Sequence, residues 1–364
     1  MAAKNSMDSF SLKGKNAVVL GGAGMLGAAI ARGLAAHGSP PMGGVASTPC
    51  VWDGKVYVGS TNGYLYCLSA ADGHQIWSQP TYDRSSPAQC SKIIASPVVH
   101  SSIVYVGNEA ANLYAFDAAT GNPITGYQPV VLPIDSHGIT GLETQNMTGT
   151  SSPAVATVNS TDYLLFGCDD GYLYRITLGV PNPQSTLVGV DLTYCVESSP
   201  TVAGNQVYVG ISHCAGDEVY RLSIQPLQQV GSQALRQECR ATPAYGFDHL
   251  YVGVDTGWTF HKLVPATLED AVPPFAAPSI TDYFVGSAAL AQNRTAYVGN
   301  DNGRVYALSA TDLSQLTTYT ADAGRGFICS GPAVAYNVDV QHNRWVYVVS
   351  RAYGGKLLAF KTAR

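Results

Sequence analysis

The sequence predicts an all-β chain folded as a seven-bladed β-propeller with a short strand-plus-helix segment at its N-terminus. Three observations predict it. A strand ending in a Tyr-Val-Gly-like signature recurs seven times between Val56 and Val346. Asn-Gly or Asp-Gly turns follow several of these strands, and aromatic-bearing strands follow the turns. The composition suits many short strands: 38 glycines, 20 prolines and 22 tyrosines, with only 12% charged residues against about 25% in ordinary soluble domains. Disorder needs low hydrophobicity with high net charge, and this chain is 46% hydrophobic with a net charge of −5. No basic stripe is present, so nucleic acid is excluded as a partner.

The chain divides at residue 44 into an N-terminal segment, residues 1–43, and a propeller, residues 44–364. The first segment admits two readings. Lys4, Lys13 and Lys15 precede an apolar stretch, and Ala29-Ile30-Ala31 has the small-x-small form of an export cleavage site. Alternatively, residues 10–38, containing KNAVVLGGAGMLGAAIARG, resemble the start of a short-chain dehydrogenase/reductase. That reading has a strand at residues 17–20, then Gly21, Gly22, Gly24 and Gly27, then an Ala-rich helix. The resemblance stops there: no acidic residue ends a second strand about twenty positions later, and no tyrosine is followed four residues on by lysine. NAD chemistry is therefore not expected. Residues 17–20 are instead a candidate outer strand for the last blade, which ends at its third strand.

From Ser47 onward each repeat has the same order. A lead-in of a small or hydroxyl residue and proline comes first: Ser47-Thr48-Pro49, Ser96-Pro97, Ser152-Pro153, Ser199-Pro200, Thr242-Pro243 and Gly331-Pro332, with Gly286-Ser287-Ala288 in the sixth unit. The signature follows at Val56, Val104, Leu164, Val207, Leu250, Ala296 and Val346, at intervals of 43–60 residues. Asn62-Gly63, Asp170-Gly171 and Asn302-Gly303 are read as two-residue hairpin turns. Three units add a corner, SAADG (69–73), DAATG (117–121) and SATDL (309–313). Three or four short strands in each of seven units imply a propeller.

These units resemble pyrroloquinoline-quinone (PQQ) repeats, and LYAFDAATG (113–121) carries the likeness almost letter for letter. The resemblance implies one of two functions. The first is a non-catalytic binding module that presents its loops to a small molecule or protein. The alternative is a quinoprotein dehydrogenase oxidising an alcohol or sugar, with PQQ and calcium in its funnel. This chain lacks the adjacent cysteine pair of such enzymes, so the expectation is the binding module with no cofactor assigned. The same likeness, with the cysteine content, places the protein in a secreted or periplasmic compartment, and no membrane span is expected.

Turns after second strands and crossovers into first strands fall on one face, the funnel. The candidates there are Glu197, Glu238, Arg240 and Arg325 from crossovers, and Asp169, Asp170, His213, Asp301 and Asn302 from turns. Arg240 and Arg325 stand out because charge is scarce; each would hold an anion in bidentate fashion or pair with a neighbouring carboxylate. Asp169-Asp170 would either start a calcium site or form an ordinary Asp-Gly turn, and His213-Cys214 alone cannot close a metal shell. Cys168, Cys195, Cys214 and Cys239 map to the same face, so Cys168–Cys195 and Cys214–Cys239 are expected as disulfides, with free buried thiols as the alternative.

Overall fold

In a strand, side chains alternate between the two faces of the sheet, and that alternation assembles the ring. The computed structural model describes residues 47–81, 91–124, 130–131, 151–211, 218–235, 239–254, 258–278, 283–284, 286–320, 331–335, 344–350 and 356–362. Their strands form seven antiparallel sheets, each ordered as the chain runs. Blade one comprises Cys50–Trp52, Lys55–Gly59, Tyr64–Ser69 and Gln75–Pro80. Blade two comprises Val98–His100, Ile103–Gly107, Asn112–Asp117 and Val130–Val131. Blade three is Ala154–Val158, Thr161–Gly167, Tyr172–Thr177 and Val188–Asp191, with a 3-10 turn at Pro183–Thr186. Blade four is Thr201–Ala203, Gln206–Gly210, Glu218–Ser223 and Gln228–Ala234. Blade five is Ala244–Gly246, His249–Gly253, Thr259–Leu263 and Phe275–Ala276. Blade six is Ala289–Ala291, Thr295–Gly299, Arg304–Ser309 and Gln315–Thr320. Blade seven contributes Ala333–Ala335, Arg344–Ser350 and Lys356–Thr362. First strands of successive blades touch one another from blade one to blade seven, so they are the inner strands. The N-terminal segment, its boundary at residue 44 and its proposed strand and helix lie outside the described residues.

The core is the set of gaps between blades. In the signature, tyrosine faces the following blade and the next valine faces the preceding one. Tyr57 thus joins Val106 and Phe116 between blades one and two, and Tyr105 joins Phe166 and Tyr174 between blades two and three. Tyr208 meets Val252 between blades four and five, Tyr251 meets Val298 between five and six, and Tyr297 meets Val348 between six and seven. Blade three carries Leu165 and Phe166 at these two positions, and Leu165 packs with Val207 and Val209 of blade four. On blade one, Val58, Tyr66 and Leu68 form the face that elsewhere meets a preceding blade. They are 0%, 1% and 3% exposed, as closure of the ring requires.

Three layers of contact tie blade to blade. The first uses the lead-in hydroxyls, which sit in the loop just before each first strand. The N–H of Thr48 donates to Ser96 Oγ (2.8 Å), and that of Ser96 to Ser152 Oγ (2.9 Å). Ser199 N–H likewise donates to Thr242 Oγ1 (3.1 Å), and Thr242 N–H to Ser287 Oγ (3.1 Å). The second uses the signature tyrosine, whose hydroxyl donates to the corner carbonyl of the next blade. Tyr57 reaches Ala118 (2.9 Å), Tyr208 reaches Pro265 (3.3 Å) and Tyr251 reaches Ala310 (2.7 Å). Blade three lacks the tyrosine, and Arg175 Nη1 reaches Ile224 O instead (2.5 Å) while its guanidinium lies over the Tyr163 ring.

The third layer explains the signature glycine. The crossover into the next blade passes directly over it. A Cβ at Gly59 would lie 2.2 Å from Ile93 Cγ2, at Gly167 2.4 Å from Val196 Cγ1, at Gly210 2.3 Å from Cys239 O and at Gly253 2.6 Å from Phe284 Cβ. These distances are far inside van der Waals contact, so only glycine fits. Gly210→Ala is expected to cost about 3 kcal/mol or more, because the opposing atom is backbone and cannot rotate away. Gly204→Ala, at φ +60° with nothing within 4 Å, is expected to cost only about 1 kcal/mol. Urea midpoints of the two variants test this, and equal losses would refute it.

Candidate functional site

The turns after second strands and the crossovers do meet on one face. Ile93 N–H donates to Ser60 O (3.0 Å), Val196 N–H to Cys168 O (3.1 Å), Cys239 N–H to Ile211 O (3.1 Å) and Phe284 N–H to Val254 O (3.2 Å). The turns are longer than two residues, which corrects the hairpin expectation. Gly63 N–H bonds to Ser60 O (3.0 Å) and Ser60 N–H to Tyr64 O (3.1 Å), enclosing four residues with glycine last at φ +77°. The same closure recurs at 168–171, where Gly171 N–H donates to Cys168 O (3.1 Å). A four-residue turn needs positive φ only at its last position, so Asn62 and Asp170 are free to cap the turn with their side chains.

The predicted polar residues are placed as follows. Asp170 is half-buried; its Oδ1 accepts the Tyr172 N–H (3.0 Å) and its Oδ2 the Tyr174 hydroxyl (2.6 Å). Burial nevertheless holds its carboxyl above the usual carboxylate range. Asp301 Oδ1 accepts the Tyr283 N–H (2.8 Å), which joins the blade six turn to the crossover before it. Asn302 lies half-buried in the same turn, and Asp169 half-buried beside Asp170. Arg240 and Glu197, on adjoining crossovers, form an ion pair (Nε to Oε2, 3.4 Å) with both side chains about one-third exposed. Arg240 thus takes the paired alternative. Arg325, Glu238, His213 and Cys214 lie outside the described residues. Among the described residues, no group of three or more His, Cys, Asp or Glu side chains is placed to hold a metal ion.

Further groups in the turns and crossovers also shape this face. Lys92 Nζ lies 3.5 Å from Glu109 Oε2, a second ion pair on this face, here between a crossover and a turn. Asn108 accepts the N–H groups of Ala110 (3.1 Å) and Asn112 (3.2 Å), and its amide donates to Thr81 O (2.9 Å). Asn108 is findable by analogy, since it stands where Ser60 and Cys168 begin their turns.

The expected Cys168–Cys195 disulfide is corrected. Both thiols are free. Cys168 continues the Leu164 and Phe166 face that packs toward blade two, whereas Val196, next to Cys195, packs on the opposite face above Gly167. Cys195 Sγ donates instead to Asp169 O (3.2 Å). For the second expected pair, Cys239 is fully buried over Gly210, with Cys214 outside the described residues.

The repeat geometry, from lead-in through signature and turn to corner, defines a β-propeller whose repeats are similar to PQQ repeats. Comparison with known proteins supports it. Residues 27–177 match the family described as outer membrane protein assembly factor BamB. Among solved structures, the chain is similar to BamB from Moraxella catarrhalis, with TM-score 0.60 and 13% identity over 85% of this chain and 82% of that one. No curated protein matches the sequence.

Burial pushes the Cys195 thiol up from 9.0 to about 11, with Asp169 and Glu197 adding to it, and drives Cys168 further in the same direction. Each thiol is therefore protonated in the folded chain at neutral pH. A raised folded value gives stability that is complete below the unfolded value near 9.0 and lost as pH climbs through about 11. Alkylation of Cys195 in the folded protein is expected to be slow at pH 8 and to rise roughly tenfold per pH unit toward 11. A linked Cys168–Cys195 peptide under non-reducing digestion would contradict the assignment.

Proposed function

We propose that this chain is a non-catalytic binding module whose turn-and-crossover face engages another protein, in a secreted or periplasmic setting. The observation that carries it is the engagement of that face's polar groups by the fold itself. Asp170, Asp301 and Asn108 hold turns and crossovers in place, Arg240 pairs with Glu197, Lys92 pairs with Glu109, and Cys168 and Cys195 are buried with raised pKa. Catalytic sites set a nucleophile, a base and a stabilising donor around an open position. Here the described residues of the same types brace turns and crossovers, which favours docking without reorganisation.

Similarity to an outer membrane assembly factor supports a protein partner and an envelope location. A fold alone does not choose a partner. For the quinoprotein alternative, the described carboxylates are not grouped as a calcium set, and no chemistry is derived through PQQ or calcium.

Site-specific photo-crosslinkers test the proposal. Crosslinkers at Thr61 and Asn302, on the funnel face, are expected to capture one discrete partner in envelope fractions. Crosslinkers at Ser101 and Asn159, in first-hairpin turns on the opposite face, are expected to capture none. Glu109→Lys with Arg240→Glu is expected to cut capture at least about tenfold by reversing the charge pattern. Capture confined to the opposite face, or stoichiometric PQQ and calcium uptake with dye-linked alcohol oxidation, would overturn it.

A further inference from the structure

Only 12% of the chain is charged, yet two cations meet at the joint between blades five and six. They lie on the face opposite the funnel, where the residue after each third strand rests on the first hairpin turn of its blade. In blades one to four that residue donates its N–H to the main-chain oxygen of Gly54, Ser102, Asp162 and Asn205. In blade six Ala310 donates to Arg294 O (2.7 Å). The place that holds a small, neutral or acidic residue in those four blades therefore holds arginine in blade six. Its side chain is exposed, and its guanidinium lies over the Phe247 ring of blade five, 5.2 Å from the centroid. Contact with an aromatic face steadies a guanidinium and leaves its N–H fork for a planar anion.

The second cation, Lys262, stands opposite Tyr251 in the blade five sheet, so both side chains face blade six. They reach adjacent residues of the same corner: Tyr251 donates to Ala310 O (2.7 Å) and Lys262 Nζ to Thr311 O (2.8 Å). Lys262 is 7% exposed. Its ammonium carries three donors, and among the described residues only Thr311 O accepts one. Neither Lys262 nor Arg294 has a carboxylate within ion-pair distance among the described residues. Burial holds the Lys262 ammonium below the usual lysine range, Arg294 pushes it the same way, and Asp312 opposes them more weakly. Asp312 spends one oxygen on its own corner, accepting the Ser314 N–H (3.1 Å) and hydroxyl (2.7 Å). Corner bracing accounts for Lys262 alone, since Arg175 holds the same register position in blade three and reaches Ile224 O. There the facing hairpin turn offers the neutral Asn205; at the joint of blades five and six it offers a second cation.

We propose that Lys262 and Arg294, with Phe247 behind the guanidinium, form a binding site for a small carboxylate at the joint of blades five and six, on the face opposite the funnel. Two like charges at one corner destabilise the folded chain, and an anion between them reverses that cost. Two cations against Asp312 leave a single positive charge, which one carboxylate neutralises and a phosphate dianion exceeds. The fork of Arg294 matches the two oxygens of a carboxylate, and the ammonium of Lys262 supplies donors from beneath. The site is separate from the turn-and-crossover face and does not depend on the function proposed for it.

Thermal unfolding of the full chain in sodium propionate, with ionic strength held fixed by sodium chloride, tests this. Propionate is expected to raise Tm along a saturating curve for one site. Arg294→Gln, at an exposed side chain, is expected to weaken binding at least about tenfold, and Arg294→Lys, which keeps the charge without the fork, by about threefold. Lys55→Gln, which removes an ion pair beside the hairpin turn of blade one, is expected to leave propionate binding unchanged. Lys262→Met is expected to abolish the response; if that variant fails to fold, the two Arg294 variants decide. A rise in Tm no larger than chloride gives, or undiminished binding in folded Arg294→Gln, would overturn the proposal. Phosphate binding more tightly than propionate would overturn the choice of carboxylate. A capped dipeptide ending in a free carboxylate that binds at least about tenfold more tightly would overturn the small-molecule assignment, making a chain terminus the ligand.

Discussion

The ring depends on one close approach: a crossover lying over the glycine that ends the second strand, as described in blades one, three, four and five. At Gly59, Gly167, Gly210 and Gly253 the space a Cβ would need is filled by Ile93, Val196, Cys239 and Phe284. This contact fixes where the next blade begins, because each of those residues stands three positions before the lead-in hydroxyl. Once the crossover is seated, the hydroxyl accepts a backbone N–H from the blade before. The first strand then lies beside its neighbour. The signature tyrosine completes the joint at the opposite end of the gap, where it reaches the next corner. A hydrogen bond of this kind contributes about 1 kcal/mol net. Its larger effect is on specificity, since an unmatched corner carbonyl in a buried gap would be costly.

This construction accounts for the scarcity of charge. Blade interfaces that satisfy backbone groups with hydroxyls need neither ion pairs nor their desolvation. Charge that does enter an interface is aimed at carbonyls, as Arg175 at Ile224 and Lys262 at Thr311 (2.8 Å), or paired across it, as His100 Nε2 with Asp162 Oδ2 (2.8 Å). On the funnel face, Lys92 with Glu109 and Arg240 with Glu197 pair across neighbouring elements, and Asp170 caps its turn. The face's described side chains stabilise the loops they belong to, and the loops together make the surface.

Much of this was legible in the sequence, and the reasons for the rest are specific. The seven signatures, the lead-in prolines and the aromatic third strands carry local chemistry and repeat, so the blades and their order follow from pattern alone. The cysteine pairing does not. Cys168 and Cys195 lie at the same end of blade three, but the strand period of two sends Cys168 to the Phe166 face, away from the crossover. Corners also vary in ways pattern cannot price: Leu268 and Leu313 sit at φ +64° and +59°, where Gly73 and Gly121 stand in other blades. They are 1% and 2% exposed, so burial in the neighbouring gap offsets their backbone strain. The substitution of Arg175 for a tyrosine in blade three likewise follows only from three-dimensional reach. Charge scarcity drew attention to Arg240, and its pairing with Glu197 emerges only when adjoining crossovers are set side by side.

The central claim is that the signature glycine exists to admit the next crossover. A double-mutant cycle between Gly59 and Ile93 tests it most directly, because the atoms facing a Cβ at Gly59 are all side-chain atoms, of Ile93 and Ser47. Gly59→Ala alone should be strongly destabilising, and Ile93→Ala alone should cost the usual loss of buried methyl groups. If the account holds, the double variant loses less than the sum, with a coupling energy of about 1–3 kcal/mol from denaturant unfolding. Additive losses within about 0.5 kcal/mol would contradict it.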